Sequence, residues 1–240
     1  MSKEIEELNR IIKESKKIVF FGGAGVSTES GIPDFRSVDG LYHQSYEFPP
    51  ETILSHTFYK RHTEEFYDFY RNRMLYLDAK PNAAHMKLAR LEGRGKLTAI
   101  VTQNIDGLHQ AAGSKHVLEL HGSVHRNYCT KCNALYSAKE LLEGEGIPKC
   151  SCGGIIKPDV VLYEEALNQK TMIEAIAAIQ EADTLIVGGT SLSVYPAAGM
   201  IDYFHGKHLI LINKTATEMD QRAELVIQEG IASVFSKVED

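Results

Sequence analysis

The chain has no tryptophan, only seven prolines and only four cysteines in its 240 residues. No apolar stretch approaches the roughly 18 residues that a membrane-spanning helix needs. Met1–Arg10 is acidic and amphipathic, which is not the pattern of a signal peptide. A membrane span is therefore not expected, and we expect a cytoplasmic protein that does not contact a membrane.

Basic residues are also scarce, because 26 Lys and Arg stand against 32 Asp and Glu and give a net charge of -6. A protein with this balance does not attract nucleic acid as a whole, so we expect no direct nucleic-acid binding, whereas a basic protein substrate would be attracted. The sequence is 43% hydrophobic and contains no internal repeat and no Pro- or Ser-rich linker. One large domain with a small appendage fits these properties.

Short apolar runs rich in Val, Ile or Leu recur along the chain and end at turn residues, which is typical of buried strands. Between them, apolar residues recur every three or four positions at 82–91 and 168–181, which predicts helices. This alternation indicates an α/β fold with a doubly wound, Rossmann-like parallel sheet. The predicted strands of that sheet are 17–21, 97–102, 117–120, 160–162, 184–188 and 209–213.

Two segments do not follow this alternation. Residues 42–76 are rich in aromatic side chains with a mostly helical pattern, and residues 127–156 contain the four cysteines. We expect these segments to form a smaller inserted lobe, with a cleft between it and the Rossmann-like domain. That domain then comprises residues 1–41, 77–126 and 157–240.

The cysteines form two close pairs, Cys129-x2-Cys132 and Cys150-x-Cys152. Four unrelated buried thiols would not explain this pairing, whereas a zinc ribbon requires it. The second pair is one residue shorter than the usual spacing. Four thiolates complete a tetrahedral shell and leave no position for a catalytic water, so we expect one structural Zn²⁺.

The turn Gly23-Ala24-Gly25 follows the first predicted strand and would let a dinucleotide pyrophosphate approach the backbone. The fingerprint of hydride-transfer enzymes, G-x-G-x-x-G, is not met, because the next glycine is Gly31. Ser27, Thr28 and Ser30 crowd the turn instead. An ordinary dehydrogenase is therefore disfavoured.

The run from Gly23 to Arg36, Gly-Ala-Gly-Val-Ser-Thr-Glu-Ser-Gly-Ile-Pro-Asp-Phe-Arg, resembles the signature of the sirtuins, the NAD-dependent protein lysine deacylases. Other segments resemble the remaining motifs of that family in the same order, and the cysteines fall where its zinc module belongs. These segments are 102–109, 120–122, 157–161, 189–192, 195–198 and 211–213. The resemblance spans nearly the whole chain and is closest to compact bacterial members, and we expect a monomer.

The resemblance implies that the substrates are NAD and an acylated lysine of a protein or peptide, and that ADP-ribose receives the acyl group. It implies that His121 is the general base that deprotonates a ribose hydroxyl, a task suited to an imidazole that titrates near neutrality. Asn104 would orient the ribose or a water, and Asp106 would bind the nicotinamide carboxamide. Phe35 would shield the reactive ribose carbon in a mobile loop, and Arg36 would contact phosphate.

The family pattern implies further contacts with both substrates. Val161 and Tyr163 would lie beside the acyl-lysine tunnel, where the substrate backbone adds as a strand between the lobes. Ile231, placed before a final short strand, would contact the adenine. The remaining NAD contacts are Ala24, Thr28, Gln103 and Ile105, together with Thr190, Ser191 and Asn213, which hold the adenosine half at strand ends.

Two departures from the family pattern concern the acyl substrate. The usual Phe-Gly-Glu is Tyr163-Glu164-Glu165 here, so a charged residue replaces a flexible glycine and puts the geometry of the substrate loop in question. The Tyr-x-x-Arg pair of members that prefer malonyl or succinyl groups is Tyr67-x-x-Tyr70. Acidic acyl groups are therefore disfavoured, and acetyl and longer neutral chains remain open.

Other interpretations of the same residues are open at this level. Without the resemblance, His121 is one of ten histidines, most of which would be core or surface residues, and Asn104 and Asp106 would be turn formers or helix caps. ADP-ribosyl transfer to a protein is a second enzymatic interpretation, because it shares the nicotinamide-cleavage step. A zinc-ribbon module that senses NAD is a third, although the polar set of Asn104, Asp106 and His121 disfavours it.

Overall fold

The computed structural model of the chain describes residues 2–35, 40 and 48–239. These residues form nine α-helices and nine β-strands. The helices are α1 (Lys3–Glu14), α2 (Pro50–Ile53), α3 (His56–Arg61), α4 (Thr63–Arg73), α5 (Ala83–Gly93), α6 (Leu108–Ala111), α7 (Ala138–Glu143), α8 (Gln169–Glu181) and α9 (Ile231–Lys237). The strands are β1 (Ile18–Gly22), β2 (Leu97–Thr102), β3 (Val117–Glu119), β4 (Gly122–Cys129), β5 (Leu135–Tyr136), β6 (Ile156–Val160), β7 (Thr184–Gly188), β8 (His208–Ile212) and β9 (Leu225–Ile227).

The larger sheet has six parallel strands in the order β3-β2-β1-β7-β8-β9. Its central strands β1, β7 and β8 are buried at every position, because helices cover both faces of the sheet. The strand order reverses at β1, which lies between β2 and β7. A crevice at the carboxyl ends of these strands is where such a sheet binds ligands, and the predicted doubly wound fold is confirmed.

Alternating side chains of β1 supply the cores on the two faces of this sheet. Ile18 and Phe20 pack with α1, α5 and α9, whereas Val19 and Phe21 pack with α8 and the 3-10 helix Ala198–Tyr203. The predicted helix at 82–91 is α5, which begins after Asn82 because the Asn82 side chain accepts a hydrogen bond from the amide of Ala84. Among the described residues, no helix is long and apolar enough to cross a membrane.

A smaller lobe contains an antiparallel sheet in the order β5-β4-β6, together with α2, α3, α4 and α7. Its core is aromatic and packs Phe58, Tyr59 and Phe66 against Ile156 and Val160. The lobe combines the four cysteines with helices, as predicted. The exact boundaries between the two lobes stay a prediction, and residues 41–47 lie outside the described residues.

Three details of the main sheet differ from the predictions. The run 160–162 was expected in that sheet, but β6 pairs antiparallel with β4 in the small lobe, so this prediction was wrong. Strand β9 was not predicted, because three apolar residues between polar turns give little periodic signal. Ile231 does not precede a final strand; it begins α9, where Ile231, Val234 and Phe235 are buried at helical spacing.

Candidate active site

A cavity of about 590 Å³ lies at the carboxyl ends of β1, β2, β7 and β8, between the two lobes. It is lined by every predicted NAD and substrate residue that the structure describes. The predicted phosphate contact Arg36 lies outside the described residues. The predicted residues in the cavity wall are Ala24, Thr28, Phe35, Gln103, Asn104, Ile105, Asp106, His121, Val161, Tyr163, Thr190, Ser191, Asn213 and Ile231.

The glycine turn after β1 packs directly on the backbone that follows β7. The Gly25 amide donates a hydrogen bond to the Gly189 carbonyl over 2.8 Å. A Cβ at Gly25 would lie 2.8 Å from the Gly189 Cα, and one at Gly23 would lie 2.8 Å from the Thr190 Cβ. Neither position tolerates a side chain, so the turn exposes bare backbone to the cavity, as a site for a pyrophosphate requires.

A chain of polar contacts crosses the cavity floor beside that turn. Gln103 Nε2 donates to Thr190 Oγ1 over 3.1 Å, and the Thr190 amide donates to Asn213 Oδ1 over 2.9 Å. Asn213 Nδ2 is buried and has no hydrogen-bond partner among the described residues. A buried amide donor without a partner is costly, so this group fits a ligand that brings an acceptor such as a ribose hydroxyl.

Ser27 connects the two polar residues that follow β2. Asn104 Nδ2 donates to Ser27 Oγ over 3.1 Å, and Ser27 Oγ donates to Asp106 Oδ2 over 2.6 Å. The other Asp106 oxygen accepts the Leu108 amide over 2.9 Å. The sequence prediction missed Ser27 as a site residue, although its place in the glycine turn was a usable signal.

His121 is held by one hydrogen bond, in which its Nδ1 meets the Gln103 carbonyl at 2.9 Å. A carbonyl can only accept, so Nδ1 carries the proton and Nε2 keeps its lone pair in the neutral ring. Burial lowers the pKa of His121 from its ordinary value, although the Gln103 hydrogen bond opposes this shift. The ring is therefore neutral at pH 7 and can accept a proton at Nε2.

The residue after His121 must be a glycine. Gly122 has φ of +78°, and a Cβ there would collide with the Asp159 carbonyl of the neighbouring strand β6. The His121 carbonyl accepts the Val161 amide over 3.0 Å, so β6 and the residues after it are fixed beside the histidine. This contact places the predicted base and the predicted acyl-lysine residue Val161 side by side.

The two tyrosines of the Tyr67-x-x-Tyr70 stretch are used for packing. Tyr67 and Tyr70 are both fully buried in the small lobe, and neither lines the cavity. The Tyr67 hydroxyl donates to the Ile156 carbonyl over 2.7 Å. The Tyr70 hydroxyl has no hydrogen-bond partner among the described residues, but it is buried outside the cavity wall. Neither side chain carries a positive charge, and neither can reach an acyl carboxylate in the cavity.

The four cysteines come together in the small lobe. Their Sγ atoms lie within 4.8 Å of one another, at 3.4 Å for Cys129 and Cys152 and at 3.6 Å for Cys132 and Cys150. None forms a disulfide. Zinc–thiolate bonds of about 2.3 Å in a tetrahedron place the sulfurs about 3.8 Å apart, so the set fits one structural zinc.

The backbone around the cysteines also fits a metal centre. The amides of Lys131 and Cys132 lie 3.4 and 3.5 Å from Cys129 Sγ and donate to it, which stabilises a thiolate. A Cβ at Gly154 would lie 2.5 Å from the same sulfur. A glycine is therefore required where the second cysteine pair folds against the first.

The sequence profile of the Sir2 family matches residues 23–196, which include the glycine turn, His121 and the four cysteines. The chain belongs to the Sir2 family. It is 61% identical over 239 residues to an "NAD-dependent protein deacetylase" of Clostridium acetobutylicum, with 98% of each chain covered. It is 59% identical over 244 residues to a protein of the same name from Clostridium perfringens, with 100% of each covered.

Solved structures of sirtuins share this fold. A complex described as "Sir2-p53 peptide-NAD+" has a TM-score of 0.86 and 38% sequence identity, covering 99% of this chain and 97% of that one. A structure described as "Sir2 bound to acetylated peptide" has a TM-score of 0.86 and 37% identity, again covering 99% and 97%. The fold and family predicted from the motifs are confirmed.

Proposed function

We propose that the chain is an NAD-dependent protein lysine deacetylase that transfers the acyl group to ADP-ribose and releases nicotinamide. The observation that carries this proposal is His121, which lies in the cavity wall with Nδ1 on the Gln103 carbonyl. The names of the sirtuin relatives, "NAD-dependent protein deacetylase", support the same activity.

The cavity contains groups that suit each part of NAD, whose reactive ribose carbon would supply the electrophile when bound. Thr190, Ser191 and Asn213 would bind the adenosine half, and Asn213 Nδ2 offers the unpaired donor. Asp106 would bind the nicotinamide carboxamide. Ser27 fixes the Asp106 and Asn104 side chains through its hydroxyl, so both are oriented before the substrate arrives.

The task of His121 is to accept a proton. Its Nε2 would take the proton from a ribose hydroxyl, and the Gln103 carbonyl would hold the Nδ1–H and stabilise the imidazolium that results. Phe35 lies in the cavity wall and would exclude water from the reacting carbon. Arg36 stays a predicted phosphate contact.

The acyl group meets an apolar wall that includes Ile105, Val160 and Val161. Burying a carboxylate there without a partner would be costly, so acetyl and longer neutral chains fit better than succinyl. The substrate backbone would add beside residues 161–163, at the junction of the two lobes. The zinc would stabilise the small lobe only, since all four coordination positions are taken by cysteines.

Peptides that differ only in their acyl group test this proposal. With NAD, we expect purified protein to deacylate acetyl- and butyryl-lysine, and to act on succinyl-lysine more than about tenfold more slowly. His121→Ala should abolish turnover of every peptide, whereas His205→Ala, at an exposed histidine, serves as the matched control. Full turnover by a folded His121→Ala variant would refute the assignment.

ADP-ribosyl transfer to a protein would use the same cavity and the same nicotinamide-cleavage step. The two activities differ in their products, which are free O-acyl-ADP-ribose and protein-bound ADP-ribose. Appearance of protein-bound ADP-ribose without loss of the acyl group would favour the transferase.

A further inference from the structure

Glu164 has a backbone conformation that is unusual for a residue with a side chain. It lies in the cavity wall within the segment 161–165, here called the substrate loop, and its φ is +74°. This left-handed region is favoured by glycine and disfavoured by residues with a Cβ. A glycine would adopt this turn more easily, so the glutamate must bring a compensating contact.

That contact joins the loop to helix α3. Glu164 Oε2 accepts a hydrogen bond from the Thr57 amide over 2.8 Å. This amide lies in the first turn of α3 and has no acceptor within the helix. Hydrogen bonding from the Thr57 side chain and then from its amide lowers the pKa of Glu164, so the carboxylate is ionised at neutral pH and remains a good acceptor.

Neighbouring contacts fix the same two segments against each other. The Tyr163 amide donates to the Leu54 carbonyl over 3.0 Å, and the His56 amide donates to the Tyr163 carbonyl over 2.9 Å. His56 Nδ1 also meets Glu165 Oε1 at 2.8 Å. Glu164 adds a second side-chain contact to this pairing, which a glycine at that position could not form.

We infer that Glu164 is a positioning residue, whose carboxylate holds the substrate loop against α3 and thereby keeps Val161 and Tyr163 in place for the acylated peptide. This inference rests on the proposed function. Glu164 does not touch the reacting atoms; it acts through the loop. Its effect should therefore fall on peptide binding and not on the use of NAD.

Three substitutions separate the effect of the hydrogen bond between Glu164 and the Thr57 amide from the effect of the negative charge. Glu164→Gln keeps an oxygen acceptor for the Thr57 amide, whereas Glu164→Ala removes it and keeps the disfavoured backbone conformation. Glu164→Gly removes the acceptor and also relieves the backbone. Glu174→Ala, at an exposed glutamate on α8, is the matched control.

Steady-state kinetics with an acetyl-lysine peptide and NAD should separate these variants. We expect Glu164→Ala and Glu164→Gly to raise the KM for peptide about fivefold, the size expected for losing one solvent-exposed charge-assisted hydrogen bond. The KM for NAD should change less than about twofold. Glu164→Gln should keep the KM for peptide near that of the parent protein.

Hydrogen exchange at the Thr57 amide gives a readout that does not need enzyme activity. Protection should fall in Glu164→Ala and persist in Glu164→Gln. If the parent protein did not deacetylate at all, the proposed function would fail. Hydrogen exchange would still decide whether Glu164 forms the hydrogen bond with the Thr57 amide. An unchanged KM for peptide in Glu164→Ala, or a Glu164→Gln variant as impaired as Glu164→Ala, would overturn the inference.

Discussion

The environment of the His121 side chain decides which of its nitrogens can take a proton. One nitrogen faces the Gln103 carbonyl and must carry a hydrogen, which leaves the other as the acceptor. The ring is buried, and burial penalises the charged form more than the Gln103 contact favours it. The pKa of His121 is therefore below the ordinary value of 6.5, and the neutral ring can act as the proposed base at neutral pH.

This shift predicts the pH dependence of deacetylation. A base must be unprotonated to work, so activity is present above the pKa of His121 and is lost as pH falls through it. We expect the acid limb of kcat/KM for peptide to have its midpoint below pH 6.5, at saturating NAD. A midpoint clearly above pH 6.5 would contradict the assignment of His121 as the base.

Helices α5 and α6 pack against each other through two buried histidines. The rings of His85 and His109 lie 4.7 Å apart, and both residues are buried. Both nitrogens of His109 lack a hydrogen-bond partner among the described residues. Burial lowers the pKa of His85 to about 4 and that of His109 to about 3, so the helices pack only with neutral rings.

The pKa values of His85 and His109 are depressed in the folded state, so their neutral rings contribute to the free energy of unfolding. This contribution is fully present above the ordinary histidine pKa of 6.5 and is lost as pH falls from there towards about 4. His109→Phe removes one of the two groups and keeps an aromatic ring beside Phe20. Between pH 6 and 4.5 it should reduce the slope of the unfolding free energy by up to about 1.4 kcal/mol per pH unit. Urea unfolding measures this slope; an unchanged slope, with His205→Phe as control, would refute the prediction.

The four-cysteine site should bind zinc and stabilise the small lobe. We expect one zinc per chain by elemental analysis, and Cys152→Ser should lose the metal and lower the melting temperature. His121 is not part of the zinc shell, so partial residual activity in the metal-depleted protein is compatible with a structural role. A fully stable, fully loaded Cys152→Ser protein would contradict a four-cysteine site.

The elements that sequence periodicity predicted correctly are those with a long or fully buried pattern. Helices α5 and α8 and strands β1, β2, β7 and β8 were all anticipated. The partner of β6 was not, because an apolar run shows that a strand is buried but not which sheet buries it. Helix α9 was not predicted either, although the helical spacing of Ile231, Val234 and Phe235 is visible in the sequence.

At the scale of the whole molecule, the cavity is built from segments far apart in the chain. The sheet brings together the turn after β1, the polar residues after β2, the histidine after β3 and the loops after β7 and β8. Periodicity predicts only that strand ends meet at one edge. The motif resemblance predicted which side chains act there, and that prediction did not include Ser27, which contacts Asn104 and Asp106.

The most direct test of the central claim measures all products of one reaction. The purified protein is incubated with NAD and an acetyl-lysine peptide, and nicotinamide, deacetylated peptide and O-acetyl-ADP-ribose are quantified by mass spectrometry. Deacetylation by acyl transfer to ADP-ribose predicts equal amounts of the three products and none without NAD. Nicotinamide accompanied by protein-bound ADP-ribose, with the peptide still acetylated, would contradict it.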